Sequence, residues 1–116
     1  MQNQITNLSI NLINNKVNVL LSTLGMNERY NAFEYLSFII TYMIKQDNES
    51  TETYNQAIAI LQEKYAITNR AITCGLNKLI KMCNNEDIFS KAQFNLNKKS
   101  TLNKIRVLKA YILANF

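Results

Sequence analysis

The amino-acid sequence predicts an all-α protein, a compact bundle of about six helices that contains a helix-turn-helix. Three observations carry that prediction. The chain has no proline and only two glycines in 116 residues, so helix breakers are few. Apolar side chains recur at intervals of three and four over long segments, the period of an amphipathic helix. Ser, Thr, Asn and Asp cluster between those segments, where helix caps are needed. The length suits one domain with its own core.

The first helix carries Val17, Leu20, Leu21 and Leu24 on one face and ends near Gly25, which suits a left-handed C-cap. Its beginning is open, because residues 6–12 alternate polar and apolar and fit a short strand, an extended arm or an earlier helical turn. Residues 1–15 are therefore set apart as an N-terminal extension, and 16–116 are taken as the domain. A second helix is predicted from Asn31 to Lys45, where Phe33, Leu36, Ile40, Met43 and Ile44 form a stripe broad enough for the centre of a bundle. Residues 47–53 are a polar break in which Ser50 or Thr51 caps a third helix bearing Tyr54, Ala57, Ile58 and Leu61. The link from Tyr65 to Thr68 follows, and Thr68 caps a fourth helix of about fifteen residues reaching Cys83. Residues 86–97 are less regular, with Ile88, Phe89 and Phe94 as core anchors and room for a short helix. Ser100 or Thr101 caps the last helix, whose Leu102, Ile105, Leu108 and Ile112 repeat at helical spacing. Lys104, Arg106 and Lys109 are predicted to project from its other sides.

Charge is divided unevenly along the chain. Residues 1–63 hold three basic and six acidic side chains, whereas residues 64–116 hold ten basic and two acidic. The A/T-rich codons of Asn, Ile and Lys explain part of the lysine excess but not its asymmetry. A cationic face on a small domain most often meets a polyanion, and double-stranded DNA is the leading candidate.

Other classes of function fit less well. Cys74 and Cys83 lie nine residues apart in one predicted helix, on nearly opposite faces, so reduced thiols are expected. With no histidine and no Cys-x-x-Cys pair, neither a metal nor a cofactor is expected. The chain has no stretch of roughly 18 apolar residues and no basic, apolar leader, so a cytoplasmic protein is expected. Catalysis lacks a histidine, an acid pair and a nucleophile beside a base; Glu34, Glu52 and Glu63 fall on separate elements as surface charge. The six tyrosines are spread through helices as packing residues rather than gathered as stacking platforms. There is no Gly-rich phosphate loop.

The pair of helices across residues 52–83 is the arrangement with functional content, because a helix-turn-helix offers its second helix to the major groove. Two amphipathic helices with a short link are also ordinary in any bundle, so the second helix's surface decides the reading. On a helical wheel Ile72, Leu76, Leu79, Ile80 and Cys83 share one face, and Arg70, Thr73, Cys74, Asn77, Lys78 and Lys81 share the other. That outer face has no acidic residue. Arg70 and Lys78 suit a guanine edge or a phosphate, Asn77 suits adenine, and Thr73 suits a base or a thymine methyl.

From Val17 to Phe116 the chain also resembles the C-terminal DNA-binding domain of the master sporulation response regulator of endospore-forming bacteria. The resemblance rests on Leu24-Gly-Met26, Ala32-Phe-Glu-Tyr-Leu36, Leu61-Gln-Glu-Lys-Tyr65 and Thr68-Asn-Arg-Ala-Ile72 leading to Gly75-Leu76 and Leu79-Ile80. It implies about six helices with an internal helix-turn-helix, binding in the major groove, tandem copies on repeated boxes and a role in transcription. The fifteen leading residues are too few for a receiver domain, so none is expected, nor is control through a phosphorylated aspartate. Where the family has Arg, Glu, Arg and Arg on the reading helix, this chain has Ala71, Thr73, Cys74 and Asn77, and Ala32 stands where the family has glycine. The scaffold therefore carries over and the family's usual box does not; a site richer in A/T is expected.

The resulting expectation is a non-enzymatic, sequence-specific DNA-binding protein that reads the major groove with the 69–83 helix. Its candidate site residues are Lys64, Thr68, Asn69, Arg70, Thr73, Cys74, Asn77, Lys78, Lys81, Lys98 and Lys99, the lysines outside the helix holding phosphates. A homodimer on DNA, and RNA polymerase or another regulator as protein partner, are the associations that fit. Two rivals remain: a protein-interaction module with a degenerate DNA face, and a plasmid or phage DNA-binding accessory protein.

Overall fold

The computed structural model describes residues 9–84 and 100–116, and these form five α-helices and no strand. They are α1 (Ile10–Thr23), α2 (Asn31–Gln46), α3 (Thr51–Tyr65), α4 (Asn69–Ile80) and α5 (Thr101–Ala114). Residues 86–97, with the expected anchors Ile88, Phe89 and Phe94 and the short helix between them, lie outside the described residues, as do Lys98 and Lys99.

Helix starts follow side-chain chemistry. Ser9, Ser50, Thr68 and Ser100 hold extended backbone, and each side-chain oxygen accepts a hydrogen bond from the amide three residues on, at Leu12, Thr53, Ala71 and Asn103. Of the alternatives at the third and fifth helices, Ser50 and Ser100 are the caps. The open start of the first helix resolves as helical from Ile10, so the boundary drawn at residue 16 falls inside α1, where Ile13 is fully buried.

Helix ends follow backbone geometry. After α1, Gly25 has φ +93°, its amide donates to the Ser22 carbonyl and the Met26 amide donates to the Leu21 carbonyl, the paired bonds of a Schellman ending. A Cβ on Gly25 would lie 3.0 Å from Asn84 Nδ2, so the glycine also lets the chain after α4 approach, and the Asn84 amide donates to the Leu24 carbonyl at 2.7 Å. Asp47 and Ala66 close α2 and α3 in the left-handed region. The fourth helix is shorter than expected. It stops at Ile80, and the amides of Met82 and Cys83 donate to carbonyls only three residues back, so the chain tightens where α4 meets the Gly25 turn.

The core is organised around α2, which packs against α1, α3, α4 and α5; α4 packs also on α3 and α5. Ten of the sixteen α2 residues are buried, including Ser37 and Thr41. These two hydroxyls donate to Asn14 Oδ1 of α1 at 2.9 and 3.1 Å, and Ser37 also bonds Asn18, so the α1–α2 seam is closed by amide and hydroxyl groups within an otherwise apolar core. Helix α4 reaches α2 closely because Gly75 has no Cβ; one placed there would come within 3.1 Å of Ala32 Cβ. The alanine at 32, where the resemblance places glycine, is accommodated by the glycine opposite it.

One expectation for α5 fails. Lys109 does not project into solvent but is 8% exposed, and its Nζ meets Glu49 Oε2 at 3.2 Å. Arg106 is half-buried, donating from Nε to the Glu49 carbonyl and from a terminal nitrogen to Asn103 Oδ1. Both cations are drawn over the loop between α2 and α3, where they supply donors to the Glu49 carbonyl and carboxylate. The radius of gyration is 13.2 Å, about what a compact chain of this length has.

Candidate nucleic-acid interface

Helix α4 is strongly two-sided. Ile72, Leu76, Leu79 and Ile80 are between 0 and 3% exposed, as the wheel predicts, and Cys83 beyond the helix is half-buried. On the opposite side Arg70, Cys74 and Lys78 are exposed, and Lys81, the C-cap residue, continues the same stripe. These positions are spaced by four, four and three residues, so they stand one above the other along the helix. No acidic residue interrupts α4. Asn69, in the first turn, and the cap Thr68 are exposed at the same end.

The neutral residues of the predicted site are differently placed. Thr73 is half-buried: its hydroxyl donates to the Asn69 carbonyl at 2.9 Å, lies 3.0 Å from Asn69 Oδ1, and is hydrogen-bonded to the Tyr54 phenol of α3. Burial raises that phenol above its usual range, and the bond from Thr73 partly offsets the rise. Asn77 is also half-buried, and its Oδ1 accepts from the Thr101 hydroxyl of α5 at 3.1 Å. Thr68 spends its oxygen on the Ala71 amide. Thr73 and Asn77 thus hold α4 against α3 and α5 and do not share the exposed stripe. The wheel could not show this, because both lie at its edge and only the neighbouring helices decide which edge is covered.

Lys64 is on α3 and not part of the α4 stripe. It sits at the C-terminal end of α3, Nζ 5.2 Å from the centroid of the Tyr65 ring, on the rim of a groove of about 480 Å³ between α1, α2 and α3 that no α4 residue lines. Glu34 faces the same groove. The Tyr65 phenol is pushed up to about 12 by burial first, then by its hydrogen bond to the Glu34 carboxylate and that group's charge. A second hollow, about 290 Å³, separates the N-terminal end of α2 at Tyr30 and Asn31 from Ala71, Gly75 and Lys78.

Sequence reasoning missed Thr101 as a support for α4, and it missed Ala66, whose left-handed backbone (φ 53°, ψ 46°) turns the chain from α3 into the Thr68 cap. Nothing in the sequence marks Ala66, since glycine or asparagine is the usual signal for that geometry. Among the described residues no cluster of three or more Cys, Asp or Glu could hold a metal ion, and no helix is long and apolar enough to cross a membrane. No protein-family model, no curated protein and no solved structure matches this chain.

Proposed function

We propose that α3, the link Ala66–Thr68 and α4 act as a helix-turn-helix and that the protein binds duplex DNA as a regulator of transcription, with α4 in the major groove. The observation that carries the reading is the stripe of Arg70, Cys74, Lys78 and Lys81: exposed, free of carboxylates, and on a helix whose other face is fixed by Ile72, Leu76 and Leu79. A rigid helix with one cationic side can enter a groove about 12 Å wide without reorganising. The three-residue link and the resemblance to sporulation-regulator effector domains support the same assignment. Lys78 and Lys81 serve as phosphate contacts, and Lys98 and Lys99 remain proposed for that role.

A second reading is favoured by one observation. Thr73 and Asn77 are turned into the bundle, so fewer neutral side chains remain to discriminate bases, as a protein-interaction module with a degenerate DNA face would require.

Titration of duplex DNA at several salt concentrations tests the choice. Affinity is expected to fall steeply with salt through counterion release, and Lys78→Ala and Lys81→Ala should each lower the logarithmic salt slope by about 1. Lack of binding even at low salt would remove nucleic acid as the partner and leave the interaction module.

A further inference from the structure

We propose that Arg70 is the base-reading residue of this surface and that the base it selects is guanine. The inference rests on the reading of α4 as a major-groove helix and names what that helix recognises.

Paired recognition of adenine by asparagine requires the amide oxygen and nitrogen together, one accepting from N6 and the other donating to N7. Asn77 is poorly placed to offer both, because its Oδ1 already accepts from the Thr101 hydroxyl of α5 and the side chain is half-buried. Thr73 has committed its hydroxyl proton within α4 and packs beside Tyr54, and Thr68 has committed its oxygen as the cap. These bonds weaken the case for an A/T-rich site, which rests on Asn77 and Thr73.

What remains is a surface of donors. Arg70 is the second residue of α4, is exposed, and its guanidinium has no hydrogen-bond or ion-pair partner among the described residues. Base contacts of a recognition helix come chiefly from its N-terminal residues. Lys78 and Lys81 stand eight and eleven residues farther along, roughly 12 and 16 Å down the axis, and each is a point charge suited to phosphate. Arg70 alone carries a planar fork of N–H groups, and α4 has no Asp or Glu to engage that fork or to accept from cytosine N4. In the major groove guanine is the base whose edge offers two acceptors, O6 and N7, side by side, and a guanidinium spans both.

A randomised duplex library selected on the full chain provides the test, with Arg70→Ala and Arg70→Lys selected in parallel and circular dichroism confirming that each variant keeps its helices. Sites enriched by the native protein should share a guanine. Replacing that guanine with 7-deazaguanine, which lacks the N7 acceptor, should weaken native binding roughly tenfold or more and leave Arg70→Ala unchanged. Arg70→Lys keeps the charge and should retain the salt dependence while weakening the guanine preference, because an ammonium lacks the fixed fork. Enrichment of adenine, or a guanine preference that survives undiminished in Arg70→Lys and ignores the 7-deaza substitution, would overturn the assignment while leaving DNA binding intact. Failure of the native chain to retain any duplex at low salt would overturn the DNA reading and this inference with it.

Discussion

Lys109 shows how a single side chain can be misplaced by periodicity and then explained by chemistry. Its ammonium lies on the covered side of α5 against Glu49, which is itself 48% exposed, so one partner is desolvated far more than the other. Removing the carboxylate leaves the lysine without its counter-charge. We expect Glu49→Ala to cost about 1–3 kcal/mol, below the figure for a fully buried pair because Glu49 stays half in water. Lys109→Met keeps the apolar stem and should be close to neutral or stabilising. Urea denaturation of both single variants and the double variant checks this: the Glu49→Ala loss should nearly vanish in the Lys109→Met background. An equal loss in both backgrounds would mean that the Glu49 side chain acts through something other than Lys109, while no loss in either would mean that Arg106, bound to the Glu49 carbonyl, holds the loop by itself.

At the scale of elements, the position of α4 depends on a contact with almost no side chain in it. Gly75 faces Ala32, where an added Cβ would come within 3.1 Å of the alanine's own, and this lets α4 lie close on α2 while the side chains of Leu76 and Leu79 enter the core. Gly75→Val should destabilise by about 1–3 kcal/mol through overpacking. Helix propensity works in the opposite direction, since valine is the better helix former, so a net loss reports the clash alone. Adding Ala32→Gly should recover part of the loss, and a thermodynamic cycle on the two positions should show coupling of at least about 0.5 kcal/mol. Additive effects would place the strain elsewhere. Under the proposed reading of α4, the same variants should weaken DNA binding more than stability requires, because they shift the helix that carries Arg70.

Across the whole molecule, the basic side chains of the described residues do not form a single cationic face. Arg106 and Lys109 are turned onto the α2–α3 loop, Lys64 lies beside Tyr65, and the α4 stripe holds Arg70, Lys78 and Lys81. The acidic half supplies a partner for part of this charge, Glu49 for Lys109, and its Glu34 accepts from the neutral Tyr65 phenol. The phenol also fixes a property of the entire fold. Its folded value, about 12, stands above the usual 10, so the folded state binds that proton more tightly than the unfolded state does. The stability it contributes is present below pH 10 and is lost as pH rises through 12. Denaturation midpoints measured on both sides of that window should fall more for the native chain than for Tyr65→Phe; equal falls would show that other groups, lysines among them, account for alkaline unfolding.

Sequence alone determined the helical class, because period and breaker content are local properties: α2, α3 and α5 begin within a residue of where apolar spacing and Ser or Thr caps put them, and Gly25 ends α1 as its missing Cβ allows. It also determined that Arg70, Cys74, Lys78 and Lys81 share a line, since spacing by turns of a helix needs no partner. Tertiary structure decided the rest. Whether Thr73 and Asn77 face a ligand depends on Tyr54 and Thr101, which are 19 and 24 residues away in the chain; whether Lys109 meets water depends on Glu49, 60 residues away. A helical wheel orders side chains around one axis, but only the placement of neighbouring helices determines which of its edges are covered, and a polar group at such an edge takes whichever partner that placement brings within hydrogen-bond reach.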